Sequence, residues 1–217
     1  MKQKIRLSFF ALFASVLLLS GCATSRSVVD VPLPTSGETS KSNGKEIYIN
    51  SAIDKRTFET KPDEPSTPSL DSAEEQGGKI KLRAIARKRN TYGKALGDIL
   101  LPEGQTVESL IDASLRQAFI EDGYKVISDK EKITSDTYII DAQINKFWMW
   151  MNPGFWALTI SGEISTDIAI KNKNSADTKI VNSRVSNTFQ TGAESNWIEV
   201  MQRALKVYIY ELRLKLK

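Results

Sequence analysis

The chain has 217 residues, no histidine and a single cysteine, Cys22. The missing imidazole removes the commonest general base and metal ligand at neutral pH. With one thiol and nothing to activate it, Ser–His and Cys–His nucleophilic chemistry and imidazole- or thiolate-based zinc and iron sites are excluded by inventory. Cys22 also has no second cysteine to pair with. A membrane span is lacking at the amino terminus, because the apolar stretch at residues 7–19 falls short of the roughly 20 residues a spanning helix needs. Excess charge is lacking too. The net charge is +4, and three of the positive residues, Lys2, Lys4 and Arg6, stand in the first six positions, so the rest of the chain is near +1. The high pI therefore gives no warrant for a nucleic-acid partner.

What those first residues do contain is a basic start, an apolar run and then Leu19-Ser20-Gly21-Cys22. That order is a signal peptide. A small residue directly before cysteine resembles the lipobox of bacterial lipoprotein signals. The resemblance implies cleavage after Gly21 and acylation of Cys22, leaving residues 1–21 as a discarded leader. One acyl chain holds a protein weakly and two or more hold it firmly, at about 0.8 kcal/mol per buried CH₂. Ala23 follows, rather than the aspartate that retains enteric-type lipoproteins in the inner membrane. The expected address is therefore the inner leaflet of the outer membrane, with the body of the protein facing the periplasm.

Residues 22–45 are rich in Ser, Thr and Gly, with Pro32 and Pro34, and read as a flexible linker. The periplasmic domain is expected over residues 46–217. A first strand, residues 46–53, alternates through Ile47 and Ile49 and closes at Asp54-Lys55-Arg56. Residues 55–105 then form a long insertion with no clear strand. Its first part carries Pro62, Pro65, Pro68 and Gly77-Gly78, and its second part a basic cluster, with a short helix expected over residues 80–88.

Residues 106–122 are the clearest helix. Val107, Leu110, Ile111, Leu115, Ala118 and Phe119 share a face, Thr106 caps the start and Gly123 ends it. Short and long strands follow at residues 124–128, 137–148, 158–171 and 180–190. Residues 196–217 form a last helix with Trp197, Met201, Ala204, Leu205, Tyr208 and Leu212 on one stripe, and Asn196 with Glu199 reads as its capping box. The order is β-α-β-β-β-β-α. The expected fold is α+β, a mostly antiparallel sheet of about five strands with two helices packed on one face.

These features together resemble the YajG-type family of uncharacterised bacterial lipoproteins. The likeness rests on the lipobox, on Ile47-Tyr48-Ile49 leading to Asp54-Lys55-Arg56, on Asp122-Gly123-Tyr124, on the long alternating strands and on Thr188-Phe189-Gln190 before the last helix. It implies an envelope lipoprotein without catalytic residues. More broadly, the architecture is similar to periplasmic lipoproteins that activate wall synthases or assist lipid transport.

Four constellations were weighed for function. Phe147-Trp148-Met149-Trp150-Met151-Asn152-Pro153-Gly154-Phe155-Trp156 is a hairpin with an Asn-Pro-Gly turn. Trp148, Trp150, Phe155 and Trp156 are candidates for an aromatic contact surface, against the plainer reading that they pack under the long insertion. Arg87, Lys88 and Arg89 are candidates for meeting anionic lipid, wall polymer or an acidic partner, against a solvated helix face. Gly93 and Gly97 lack phosphate-loop spacing and read as turn residues. Asp54, Asp98 and Asp141 have no spacing that would pair them as hydrolytic carboxylates. No cofactor or metal is expected. The expected function is a non-enzymatic interaction or accessory role beside an envelope protein partner. A lipid- or glycan-binding module is the first alternative and an uncharacterised hydrolase the second.

Overall fold

The computed structural model describes residues 26–33, 40–71 and 78–217; the expected leader and Cys22 lie outside them. The strands are β1 (Ser27–Val28), β2 (Glu46–Asp54), β3 (Ala84–Arg89), β4 (Ala95–Leu100), β5 (Lys125–Ile127), β6 (Tyr138–Pro153), β7 (Leu158–Lys171) and β8 (Ala176–Phe189). The helices are α1 (Lys79–Arg83), α2 (Val107–Glu121) and α3 (Glu194–Leu216). The fold is α+β, with a mixed sheet of eight strands and three helices among the described residues. The expectation of about five mostly antiparallel strands and two helices is corrected on both counts.

β6 organises the sheet. Along one edge it pairs antiparallel with β7 over almost its whole length, and β7 pairs antiparallel with β8. Along its other edge it serves two strands end to end. β2 runs parallel to its first half, from Ile47 opposite Tyr138 to Asp54 opposite Ile144. β3 runs parallel to its second half, with Ala86 opposite Met149. β5 continues the sheet beyond β2, while β4 and then β1 continue it beyond β3. The parallel pairs arise because the connections between them are long enough to cross over, which a plain alternation of strands does not reveal.

One irregularity decides which side chains face where. Ile144 lies opposite Thr166 and Lys146 opposite Ser165, so Asn145 is an extra residue in β6. A bulge of this kind reverses the alternation beyond it. Before it, Ile140, Ala142 and Ile144 point to the helices; after it, Phe147 and Met149 do. Trp148 and Trp150 are thereby turned to the opposite face. There they form a second, smaller core with Leu70, Ala84 and Leu100, edged by Phe58 and Ile80. The ring of Phe58 meets Trp148 edge-on at 5.7 Å, and the Trp148 indole N–H donates to the Pro65 carbonyl at 3.3 Å.

The main core lies between the sheet and helices α2 and α3. Each apolar residue read onto the helix stripes is buried there. α2 begins at Thr106, whose hydroxyl accepts from the Ser109 backbone N–H at 3.1 Å, and ends where Gly123 takes φ +82°. α3 crosses β7 closely at Gly162, where an added Cβ would come within 3.4 Å of Met149 and Val200 side-chain atoms. The capping box expected at Asn196 and Glu199 is not formed. α3 starts two residues earlier, Asn196 donates to the Thr191 carbonyl at 2.8 Å, and Glu199 accepts from Asn187 at 2.9 Å.

Two further expectations change. Residues 26–33 are not free linker: Ser27 and Val28 pair parallel with Ile99 and Leu100, and Val29 and Val31 are buried in the main core. The short Val-Val-Asp-Val run gave that segment apolar anchors that its Ser- and Pro-rich setting concealed. The stretch 55–105 is not strandless either. It supplies β3 and β4, and of the expected helix at 80–88 only residues 80–83 are helical.

Candidate interaction surface at the hairpin tip

The aromatic hairpin divides its four named residues between two environments. Trp148 is 0% and Trp150 3% exposed, whereas Phe155 is 89% and Trp156 83% exposed. Alternation alone would not separate them so cleanly. The bulge at Asn145 and the covering segment around Phe58 and Leu70 bury the first pair; the turn lifts the second pair clear. Trp150 is further held by Arg184 and Lys146, whose charges sit 5.3 and 5.7 Å from its ring. At the tip the Gly154 N–H donates to the Ala157 carbonyl at 2.8 Å, closing the turn, and the Phe155 and Trp156 rings meet edge to face at 4.7 Å. Both large rings thus meet each other and stand in solvent, on a ladder that runs without a break from Pro153–Leu158 down to Lys146–Ser165.

The β3–β4 turn reaches the same end. Asn90 closes it by accepting from the Tyr92 and Lys94 backbone N–H groups at 3.0 and 2.9 Å, and Gly93 takes φ +76°, as expected of a turn glycine. Tyr92 at its apex is 93% exposed. Between the two turns lies a cavity of about 310 Å³, bordered by Pro62, Pro65, Asn90, Thr91, Asn152 and Pro153. Tyr92 was not singled out as a contact residue; its only signal in the sequence was its place in a Gly-flanked turn.

Of the basic triplet only Arg89 reaches the tip, where it borders this cavity and donates to the Gly93 carbonyl at 2.8 Å. Arg87 and Lys88 are buried and Arg89 is half-buried, because they lie on a strand inside the sheet rather than on a helix face. Arg87 is 4% exposed and sits between Asp98 and Asp71, with ion-pair distances of 3.3 and 2.8 Å. Arg26 reaches Asp98 at 3.3 Å, Lys88 donates to the Ser27 hydroxyl at 3.0 Å, and Arg89 donates to the Ser69 hydroxyl at 2.9 Å. Burial is the main force lowering the Arg89 pKa, with the neighbouring Arg87 charge adding to it. These cations fasten β1 and the segment around Ser69 to the sheet. Burial corrects the contact-surface reading for Arg87 and Lys88, and the strand corrects the solvated-helix reading for all three.

A cation that sequence reasoning passed over is more deeply engaged. Arg56 follows β2 and enters the junction where the edge of β6 changes partner. Its guanidinium donates to the carbonyls of Ala84, Phe147 and Lys81 at 2.6, 2.9 and 2.8 Å, and forms a two-pronged pair with Asp54 at 2.9 and 2.7 Å. A planar fork with five N–H groups suits carbonyls left between the end of one strand and the start of another. The Asp54-Lys55-Arg56 triplet is therefore a structural joint.

The three carboxylates do not converge. Asp54 is taken by Arg56 and Asp98 by Arg87 and Arg26, while Asp141 accepts from Ser51 and Asn50 at 2.6 and 2.7 Å. Partial burial works to raise the Asp141 pKa; the two hydrogen bonds more than offset it, and the carboxyl titrates below its ordinary value. Among the described residues, no three His, Cys, Asp or Glu side chains meet as a metal site would need. A wider groove of about 720 Å³ between α2 and α3 has a mostly apolar lining, with Pro32, Leu33, Ile209 and Tyr210 beside Gln117, Gln202, Arg203 and Lys206, and the pairs of Arg213 with Glu121 and Asp122 at 2.8 and 2.9 Å close one side of it.

No family model matches the chain, and no curated protein matches it. Among solved structures, an uncharacterized protein aligns over 89% of this chain and 99% of its own, at 11% identity and a TM-score of 0.44. A structure described as a neuraminyllactose-binding hemagglutinin homolog from Helicobacter pylori aligns over 87% of this chain and 92% of its own, at 10% identity and a TM-score of 0.36. A hypothetical protein from Chlamydia trachomatis aligns over 77% and 96%, at 8% identity and a TM-score of 0.29.

Proposed function

We propose that this chain is a lipid-anchored protein of the outer membrane, facing the periplasm, that acts by binding and not by catalysis, as an accessory component of an envelope complex. Its membership of the YajG-type lipoproteins is part of the proposal. The observation that carries the binding role is the exposed Phe155–Trp156 pair on a rigid hairpin, since large aromatic side chains left in water by a folded ladder mark contact surfaces. The anchor rests on Leu19-Ser20-Gly21-Cys22. A second reading, a lipid- or glycan-binding module, is favoured by the cavity of about 310 Å³ beside the same tip, which is near the lower limit of small-ligand pockets.

Two variants test the proposal in cells. Cys22→Ser should lose acylation and leave a precursor or a soluble form. Phe155→Ala with Trp156→Ala should leave processing, anchoring and thermal midpoint unchanged while reducing association with envelope partners, read by crosslinking from the hairpin. A Cys22→Ser protein that is still processed and lipid-labelled would overturn the anchor. Undiminished association of the double variant would overturn the tip as the contact surface.

A further inference from the structure

The strand directions place the amino-terminal chain and the aromatic tip at one end of the molecule. β6 runs toward the Asn152-Pro153-Gly154 turn, and β3 runs parallel to it, so the β3–β4 turn lies at that end. β4 runs back from the turn, and β1 is parallel to β4. β1 therefore starts from the tip side. Arg26, level with Asp98 and paired to it at 3.3 Å, is the first described residue of this approach.

Covalent geometry then limits where Cys22 can be. Four Cα-to-Cα steps separate it from Arg26, a reach of at most about 14 Å. The length of β4 from Asp98 back to Ala95, where the turn begins, takes up roughly 10 Å of the same direction. β6 alone, with 16 residues, extends roughly 50 Å. A tether this short cannot bring the far end of the sheet to the bilayer while Cys22 is held in it. It brings the tip.

The tip presents what a bilayer interface takes. Tyr92, Phe155 and Trp156 are the three most exposed large apolar side chains of the described chain. Tyr and Trp settle at the headgroup level, with an apolar body inward and a polar atom toward water, and Phe fits below them. The charges around the two turns are of both signs, Lys61, Arg89 and Lys94 beside Asp63 and Glu64, so no single-sign field sets the contact. We infer that Tyr92, Phe155 and Trp156 insert into the headgroup region of the leaflet that holds the acyl chains of Cys22, fixing the domain upright with β6 along the membrane normal. This rests on the acylation of Cys22 and names the occupant of the proposed contact surface.

The other three tryptophans, Trp148, Trp150 and Trp197, are buried, so Trp156 reports on the tip. The full chain, purified acylated from membranes, is reconstituted into vesicles of phosphatidylethanolamine and phosphatidylglycerol, with and without bromine on the acyl chains near the headgroup. Bromine quenches indole emission on contact. The emission assigned to Trp156, by difference from Trp156→Phe, should be mostly lost in brominated vesicles, and Trp156→Phe should show little dependence on bromine. Lys130→Trp in the Trp156→Phe background, at the other end of the sheet, should stay bright in both. Equal emission of Trp156 with and without bromine overturns the inference and is the result expected if the tip docks a protein instead. Quenching of Lys130→Trp as well overturns the fixed orientation. Radiolabelled palmitate on the wild-type chain, absent from Cys22→Ser, reads the anchor separately. If the wild-type chain takes up no label, the anchor fails and the inference with it.

Discussion

Trp148 and Trp156 sit on one hairpin, and their surroundings predict opposite responses to truncation. Trp148 fills the small core behind the sheet, meets Phe58 edge-on and donates its N–H to Pro65. Trp148→Ala should cost about 3–5 kcal/mol, as for other buried aromatic truncations. Trp156→Ala should stay within about 0.5 kcal/mol of wild type, because only Phe155 leans on it. Melting curves of the two proteins decide this, and comparable losses of stability in both would show that the tip is packed. The buried cations behave differently from either. Arg56 is held by its near neighbour Asp54 and by the distant carbonyls of Lys81, Ala84 and Phe147, and Arg87 by Asp71 and Asp98, so the sequence beside each gives little hint of burial.

At the scale of elements, α2 and α3 were readable because each carries an unbroken apolar stripe, and α2 also because Thr106 and Gly123 mark its ends. Gly123 has a second duty. An added Cβ would stand 2.3 Å from the Lys41 carbonyl oxygen, besides occupying a left-handed conformation. Gly123→Ala should therefore cost more than the roughly 1–2 kcal/mol of the left-handed backbone alone, and denaturant titration would register it. A cost within 0.5 kcal/mol, marking an ordinary surface position, would show that the segment at Lys41 gives way freely. The strands were readable where they alternate, as in β7, and unreadable where they do not. β3 is Ala84-Ile85-Ala86-Arg87-Lys88-Arg89, buried on both faces and with no period, and its positive charges imitate a solvated helix. β6 misled in another way, since nothing in its sequence announces the extra residue at Asn145. The tip was legible as a turn with aromatics, but which of them are exposed depends on the bulge.

At the scale of the whole molecule, the domain begins earlier than composition suggests. A chain starting at residue 35 should be less stable than one starting at residue 22 by about 3 kcal/mol or more, because Val29 and Val31 each bury a side chain worth about 1.5–3 kcal/mol. Unchanged stability, measured by thermal melting, would restore the view of this segment as pure tether. The two partners sharing one edge of β6 also govern the order of events during folding. β6, β7, β8 and α3 follow one another in the chain and pack by short-range contacts, whereas Ile47 must find Tyr138, Ala86 must find Met149 and Ser27 must find Ile99. Closing such long loops is costly before the receiving strand exists. The carboxy-terminal half should therefore form the nucleus. Ile164→Val should slow refolding, while Val31→Ala should leave refolding unchanged and speed unfolding, in stopped-flow measurements. A chain emerging amino terminus first would then hold β2 and the β3–β4 hairpin without their central partner β6 until about the last 80 residues arrive. For that interval its safety from aggregation depends on the charges of β3 and the prolines at 62, 65 and 68 and not on the finished sheet.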